Sequence, residues 1–324
     1  MIRLVLKRSL IPLFALAPLV MGCTKEDAKS DVVPGLRIVQ EGMGGNGSKV
    51  WVSNTDKTQN GWVPYSYFVL EKIRIQGSNY GTKEIMKSEG GGFYIDYTPI
   101  GNFSACYPMA MYSTSSTSET VIIKNVPFNN ILNYPQDGDY SGKMITQFPM
   151  VAFGTASTTQ LKFKHVTGAI AFDLENNTGS DIVFSNGNGG VYSIVVTAKN
   201  DSNNVVNLWA TQNNDNFTCT SDGSGGINVT NNPGANATNS TTFYLNKGMV
   251  TSKSQCLYNM DKDEKIHVVL PIPETTATKF EISIYKASQS GSNYIQGKVI
   301  KSRTTPLMTI ERNTIYNLGP FYLK

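Results

Sequence analysis

The sequence predicts an all-β protein built from antiparallel β-sandwiches, and three observations predict it. Short segments of alternating apolar and polar residues recur roughly every 8 to 15 residues, each closed by Gly, Pro, Asn or Asp. No segments of helical period are interleaved with them, which argues against a parallel α/β sheet. Charged residues make up only 16% of the 324 residues, and the remainder is rich in Ser, Thr, Asn, Gly and Tyr, a composition that suits pleated strands and turns.

The first element in the chain is an address. Arg3, Lys7 and Arg8 precede an apolar run from about Leu10 to Val20 broken by Pro12 and Pro18. This is the plan of a secretory signal, and it falls short of the ~20 residues that cross a bilayer. Val20-Met21-Gly22-Cys23 resembles a bacterial lipoprotein processing box, which marks residues 1–22 as signal peptide and Cys23 as the lipidation site. A thiol is needed there to take the diacylglyceryl group, and a small preceding residue lets the peptidase close on the chain. Thr24-Lys25-Glu26-Asp27 resembles the signal that sends Bacteroidetes lipoproteins to the outer face of the outer membrane. Acyl chains contribute ~0.8 kcal/mol per buried methylene, so the lipid alone would anchor the protein there.

All three basic residues of the signal fall away with it, leaving 25 basic against 24 acidic side chains over about 300 residues. That balance gives no support to nucleic-acid binding or a polybasic membrane contact. The mature length suits two domains, with a lipidated tether that can include an N-terminal strand at 23–36, an N-terminal domain at 37–154 and a C-terminal domain at 155–324. Apart from Cys23 the cysteines are Cys106, Cys219 and Cys256. Either one pair forms, with Cys219 to Cys256 the favoured match, or all three are buried thiols.

Ordered sequence begins near Arg37 and Ile38, after the tether ends in Val32-Val33-Pro34-Gly35. Gly42 to Ser48 lacks the Lys-Ser/Thr pair and following helix of a phosphate loop and is expected to be a surface loop. From Trp62 to Gln76 the odd positions Val63, Tyr65, Tyr67, Val69, Ile73 and Ile75 form one apolar face. Strands follow at Phe93 to Tyr97 and, beyond the Ser/Thr loop at Ser113 to Ser118, at Thr120 to Lys124. Asp137 to Gly142 matches the first half of a calcium-binding loop, but Phe148 stands where the twelfth-position acid belongs, so a polar turn is expected and no metal.

Between Leu161 and Leu174 the apolar parity switches from odd (Leu161, Phe163) to even (Ile170, Phe172, Leu174). A strand cannot change face without a slip, so a bulge or bend is required between His165 and Gly168. Strands at Ile182 to Phe184 and Tyr192 to Ala198 come next. Asn213 to Asn239 has so few apolar residues that it is expected in loops or exposed hairpins, outside any core. The remaining strands are Ile266 to Leu270, Phe280 to Tyr285, Gln296 to Ser302, Leu307 to Glu311 and Thr314 to Leu323, with a turn at Arg312-Asn313.

Several of these stretches, in this order, resemble the fimbrillin-like pilins of Bacteroidetes. They are Gln147-Phe148-Pro149-Met150, the strand holding His165, Asn176-Asn177-Thr178-Gly179, Val268-Val269-Leu270-Pro271-Ile272-Pro273 and Ile310-Glu311-Arg312-Asn313-Thr314-Ile315-Tyr316. The resemblance implies two tandem transthyretin-like β-sandwich domains displayed at the cell surface. It also implies trimming by an arginine-specific protease, at Arg37 before Ile38, and assembly into a fimbrium by strand addition. The partners would be other pilin subunits or further copies, the outer membrane through the lipid, and a host or bacterial surface receptor. Stalk pilins of that family carry an extended C-terminal donor segment, whereas here Lys324 soon follows Tyr316. Either Thr314 to Leu323 is itself donated, or the chain is a tip, accessory or non-polymerising member.

No constellation for catalysis is found. The two histidines, His165 and His267, sit in apolar strands, and Asp261, Asp263 and Glu264 alternate with lysines as a solvated turn does. A non-enzyme without cofactor is expected. The alternative is a permanently anchored surface lipoprotein that binds glycan, with Trp209 as the exposed aromatic contact.

Overall fold

The computed structural model describes residues 36–40, 58–60, 72–77, 81–84, 86–87, 93–125, 131–134, 143–144, 148–186, 193–247, 255–291 and 293–324. A 3-10 turn lies at Met109–Met111, and among the described residues no helix is long and apolar enough to cross a membrane. Cys23 and the rest of 23–35, the Gly42 to Ser48 loop, the Trp62 to Val69 part of the first alternating stretch and Asp137 to Gly142 lie outside the described residues.

The first sheet has eight strands, in the order Gly81–Glu84, Lys72–Gln76, Phe103–Tyr107, Met150–Gly154, Gln160–His165, Leu36–Gln40, Phe93–Ile95 and Met86–Lys87. Its alternate side chains meet in one apolar cluster. Ile73 and Ile75 come from near one end of the sheet, Leu36 and Ile38 from the interior, and Ile95 from near the other end. The sheet therefore curls around its own inward face, and the Lys83 ammonium from one end lies 5.6 Å from the centre of the Tyr97 ring beyond the other. The outward face of Phe103–Tyr107 is covered as well. Cys106 and Val151 pack against Val121, Ile123, Phe217 and Cys219 of a three-stranded sheet ordered Ile227–Asn231, Asp215–Ser221, Thr120–Lys124. The expectation that residues 213 to 239 lie outside the core is thus corrected. Phe217 and Cys219, on one face of an otherwise polar strand, are buried by a neighbouring sheet that local composition does not reveal.

The parity switch resolves as a change of sheet. Gln160–His165 belongs to the eight-stranded sheet, and Gly168–Asn176 is a central strand of a six-stranded one. A Cβ at Gly168 would collide with the carbonyl oxygen of Glu311, so the crossing needs glycine. Gly168–Asn176 runs antiparallel to Lys265–Ile272 and parallel to both Thr314–Asn317 and Phe321–Leu323. Its even residues Ile170, Phe172 and Leu174 face a large core shared with a second six-stranded sheet, to which Ile194, Val196, Phe243, Phe280 and Ile282 contribute. Its odd residues Ala169 and Ala171 pack with Phe148, Val269 and Ile315.

Several sheets join residues from both sides of position 154. Thr120–Lys124 pairs with Asp215–Ser221, Ile131–Tyr134 with Ser240–Lys247, Lys143–Met144 with Lys265–Ile272, and Thr58–Asn60 with Thr314–Asn317. Pro34–Lys324 forms one compact unit.

Candidate functional site

Leu36–Gln40 is the element on which the sequence-predicted processing residues lie. Apolar, charged, apolar in sequence, it buries Leu36 and Ile38, at 2% and 6% exposure, and leaves Arg37 between them exposed. Both of its edges are occupied. On one side it runs parallel to Gln160–His165, with Ile38 opposite Leu161 and the Arg37 N–H donating to the Thr159 carbonyl at 3.2 Å. On the other it runs antiparallel to Phe93–Ile95, with Leu36 opposite Ile95. Among the described residues this strand alone connects Phe93–Ile95 and Met86–Lys87 to the other five strands of the sheet. Without it, two backbone edges would face each other across a slot, with two apolar pockets one strand repeat apart.

A protease must lay the scissile segment extended in its own cleft. The Arg37-Ile38 bond lies inside a strand held on both sides, so cutting it requires the strand to leave the sheet first. The Arg37 backbone is part of the ladder, opposite Gln160 on one side and Tyr94 on the other.

The last strands lie in their own chain's sheet. Phe321–Leu323 pairs with Leu174 to Asn176, buries Phe321 and Leu323, and sets the Phe321 ring 4.4 Å from that of Phe172. The Arg303 guanidinium lies 5.3 Å from the Phe321 ring centre.

The histidines are structural. His267 is buried and its Nδ1 is 2.9 Å from Asp173 Oδ1, while the Lys265 ammonium bridges Asp173 at 3.1 Å and Glu175 at 2.9 Å. Burial alone would raise the Asp173 carboxyl, but hydrogen bonds from His267 and Lys265 outweigh it and hold its pKa below the usual carboxylate value. His165 is fully buried at the crossing, its carbonyl accepting Arg312 Nη1 at 3.1 Å. Among the described residues no three His, Cys, Asp or Glu side chains group to hold a metal.

All three remaining cysteines are buried, and none of them is bridged to another. Burial pushes the Cys219 and Cys256 thiols up to about 12 and Cys106 well above its ordinary value, so they are protonated and inert at neutral pH. Cys219 shares its cluster with Cys106, whereas Cys256 lies outside that cluster, so the favoured Cys219 to Cys256 match is not formed. Trp209 is also corrected. It is 6% exposed and packs in the large core, so it offers no open platform to a sugar ring. Its polar neighbours in sequence suggested exposure, yet its backbone pairs with Thr238 and turns the ring inward.

No family model and no curated protein matches this chain. Among solved structures, it is similar to a cell-adhesion candidate from Bacteroides ovatus at 9% identity and a TM-score of 0.41, covering 89% of this chain and 92% of the other. A second such candidate, from Bacteroides fragilis, is 10% identical with a TM-score of 0.36, over 88% and 92% of the two chains. A fimbrial protein from Bacteroides ovatus is 10% identical with a TM-score of 0.27, over 89% of this chain and 50% of its own. At such identities and scores the likeness says nothing of function.

Proposed function

We propose that this chain is a fimbrillin-like subunit, of the tip or accessory kind, that reaches the outer membrane on a Cys23 lipid and accepts a strand from a neighbouring subunit. The observation that carries the reading is the position of Leu36–Gln40: a five-residue strand directly after the tether, buried through two side chains and flanked by strands on both edges. Strand addition supplies affinity through main-chain hydrogen bonds and specificity through alternate apolar side chains. A strand leaving this slot exposes both features at once, and an unpaired pair of edges in water is a standing template for another strand. The pairing of Phe321–Leu323 within its own sheet favours an acceptor role over donation of the C-terminal strands. Nothing in this scheme requires bond-making chemistry by the protein itself.

The test is to treat the purified full-length precursor with an arginine-specific protease. Cleavage at Arg37 followed by a ladder of oligomers resistant to mild detergent is expected, and Arg37→Ala should stay monomeric. Complete cleavage at Arg37 that leaves a lasting monomer would sink strand acceptance.

A further inference from the structure

A cleft of about 530 Å³ opens where four strands end, and the pilin reading does not use it. One wall is the end of Met150–Gly154 with the Thr155 to Thr158 turn. The facing wall is the start of Thr120–Lys124 and the end of Asp215–Ser221, where Thr120 and Thr220 are directly paired. These walls are held in place by the fold. Thr158 Oγ1 accepts the Thr155 N–H at 2.8 Å, Thr117 Oγ1 accepts the N–H of Thr120 at 3.0 Å, and the buried Ser104 hydroxyl donates to the Thr117 carbonyl at 2.6 Å. The volume lies within the roughly 300–1,000 Å³ of small-molecule sites.

The lining states the chemistry of the occupant. Among the described residues, the side chains of Asn102, Ser118, Glu119, Thr120 and Thr220 make no hydrogen bond within the protein, so their donors and acceptors are available to a guest. Phe153, half-buried, and the edge of the buried Phe103 ring beside Gly154 add apolar surface to this polar set. Among the described residues no Lys, Arg or His lines the cleft and its one ionisable group is Glu119, so an anionic guest meets no counter-charge from them. Strand ends, not a free strand edge, form the walls, so an extended peptide finds no backbone ladder to join. A guest with many hydroxyls, no negative charge and one apolar face fits all of this.

We infer that this cleft binds a neutral carbohydrate, a short oligosaccharide whose ring lies against Phe153 while its hydroxyls bond Glu119 and the Ser/Thr rim. The inference stands apart from strand acceptance, since the cleft is complete within one chain. The full-length protein is applied to an array of neutral manno-, gluco-, lacto- and chito-oligosaccharides together with sialylated and sulfated counterparts, and retained sugars are titrated by calorimetry. Retention of at least one neutral oligosaccharide in preference to its acidic counterparts is expected. Thr155→Arg, at an exposed position, should fill the cleft and weaken that binding by about tenfold or more with an unchanged melting temperature, a loss of about 1.4 kcal/mol. Phe153→Ala should weaken it too. Failure to retain any neutral glycan, preference for the acidic ones, or full binding by Thr155→Arg would overturn the inference. Oligomer formation after proteolysis is read separately, so either idea can fail without the other.

Discussion

Leu36–Gln40 and Gly168–Asn176 are both interior strands, yet they are held in very different ways. The first has five residues, two neighbours and two side chains known to be buried, all on one face. The second has nine residues, pairs with three strands, and sends Ile170, Phe172 and Leu174 into one core while Ala169 and Ala171 enter another. At about 1.5–3 kcal/mol per buried large apolar side chain, the first strand's two buried residues contribute an amount that a well-matched replacement strand restores. No incoming strand restores two cores at once. An interior position therefore does not make a strand permanent; what matters is how many faces it buries.

The sharpest way to break the comparison is Phe172→Ala. It should cost about 3–5 kcal/mol and lower the denaturant midpoint of the whole unit. A loss no larger than that of the next variant would erase the distinction. Ile38→Ala should cost about 2 kcal/mol, toward the low end for such truncations. Its effect should also be local: hydrogen exchange should quicken at 36–40, 93–95 and 160–163 while 168–176 stays protected, and cleavage at Arg37 should accelerate. Equal quickening in both strands would show that the first strand cannot open alone.

A smaller effect is expected at Asp173, on the solvent-facing end of the second strand. Its folded pKa lies below its unfolded value of about 3.9, so its contribution is fully present above that pH and is lost as pH falls through the lower folded value. Asp173→Asn should cost about 1 kcal/mol at pH 7, and the gap from the parent should close at pH 2 when urea midpoints are compared. The smallest effect tests an outer edge. Asn293–Thr304 is a long edge strand with Lys298, Lys301, Arg303 and no acid, the kind of charged edge that discourages strand addition. Lys298→Val should leave stability within about 0.5 kcal/mol yet raise self-association in light scattering, which would confirm that access to an edge is guarded there and opened elsewhere.

Much of this was legible in the residues. The alternation at Lys72 to Gln76, Thr120 to Lys124 and Tyr192 to Ala198 marks strands because a pleat has period two, and the expected apolar face of the first is buried at Ile73 and Ile75. The forced bend at His165 to Gly168 was legible for the same reason, as was the turn at Arg312-Asn313. The exposure of Trp209, the core role of Phe217 and Cys219, and the length of the hairpin from Thr275 to Thr304 were not, since each depends on what another part of the chain lays against it. The cleft was missed for a related reason: Ser118, Thr155 and Thr220 look like ordinary polar residues until four separate strand ends converge.

By itself, the sequence determines the β class, the strands with clear alternation such as Thr120 to Lys124, the break at 165–168 and the arginine that follows the tether. These follow from local periodicity, turn chemistry and the order of residues. Only the tertiary structure decides that this arginine lies within a paired strand and not before one, that the break is a passage between sheets, and that scattered hydroxyls line one cleft. Such facts are set by long-range pairing, and in a β protein the partner of a strand can lie more than a hundred residues away.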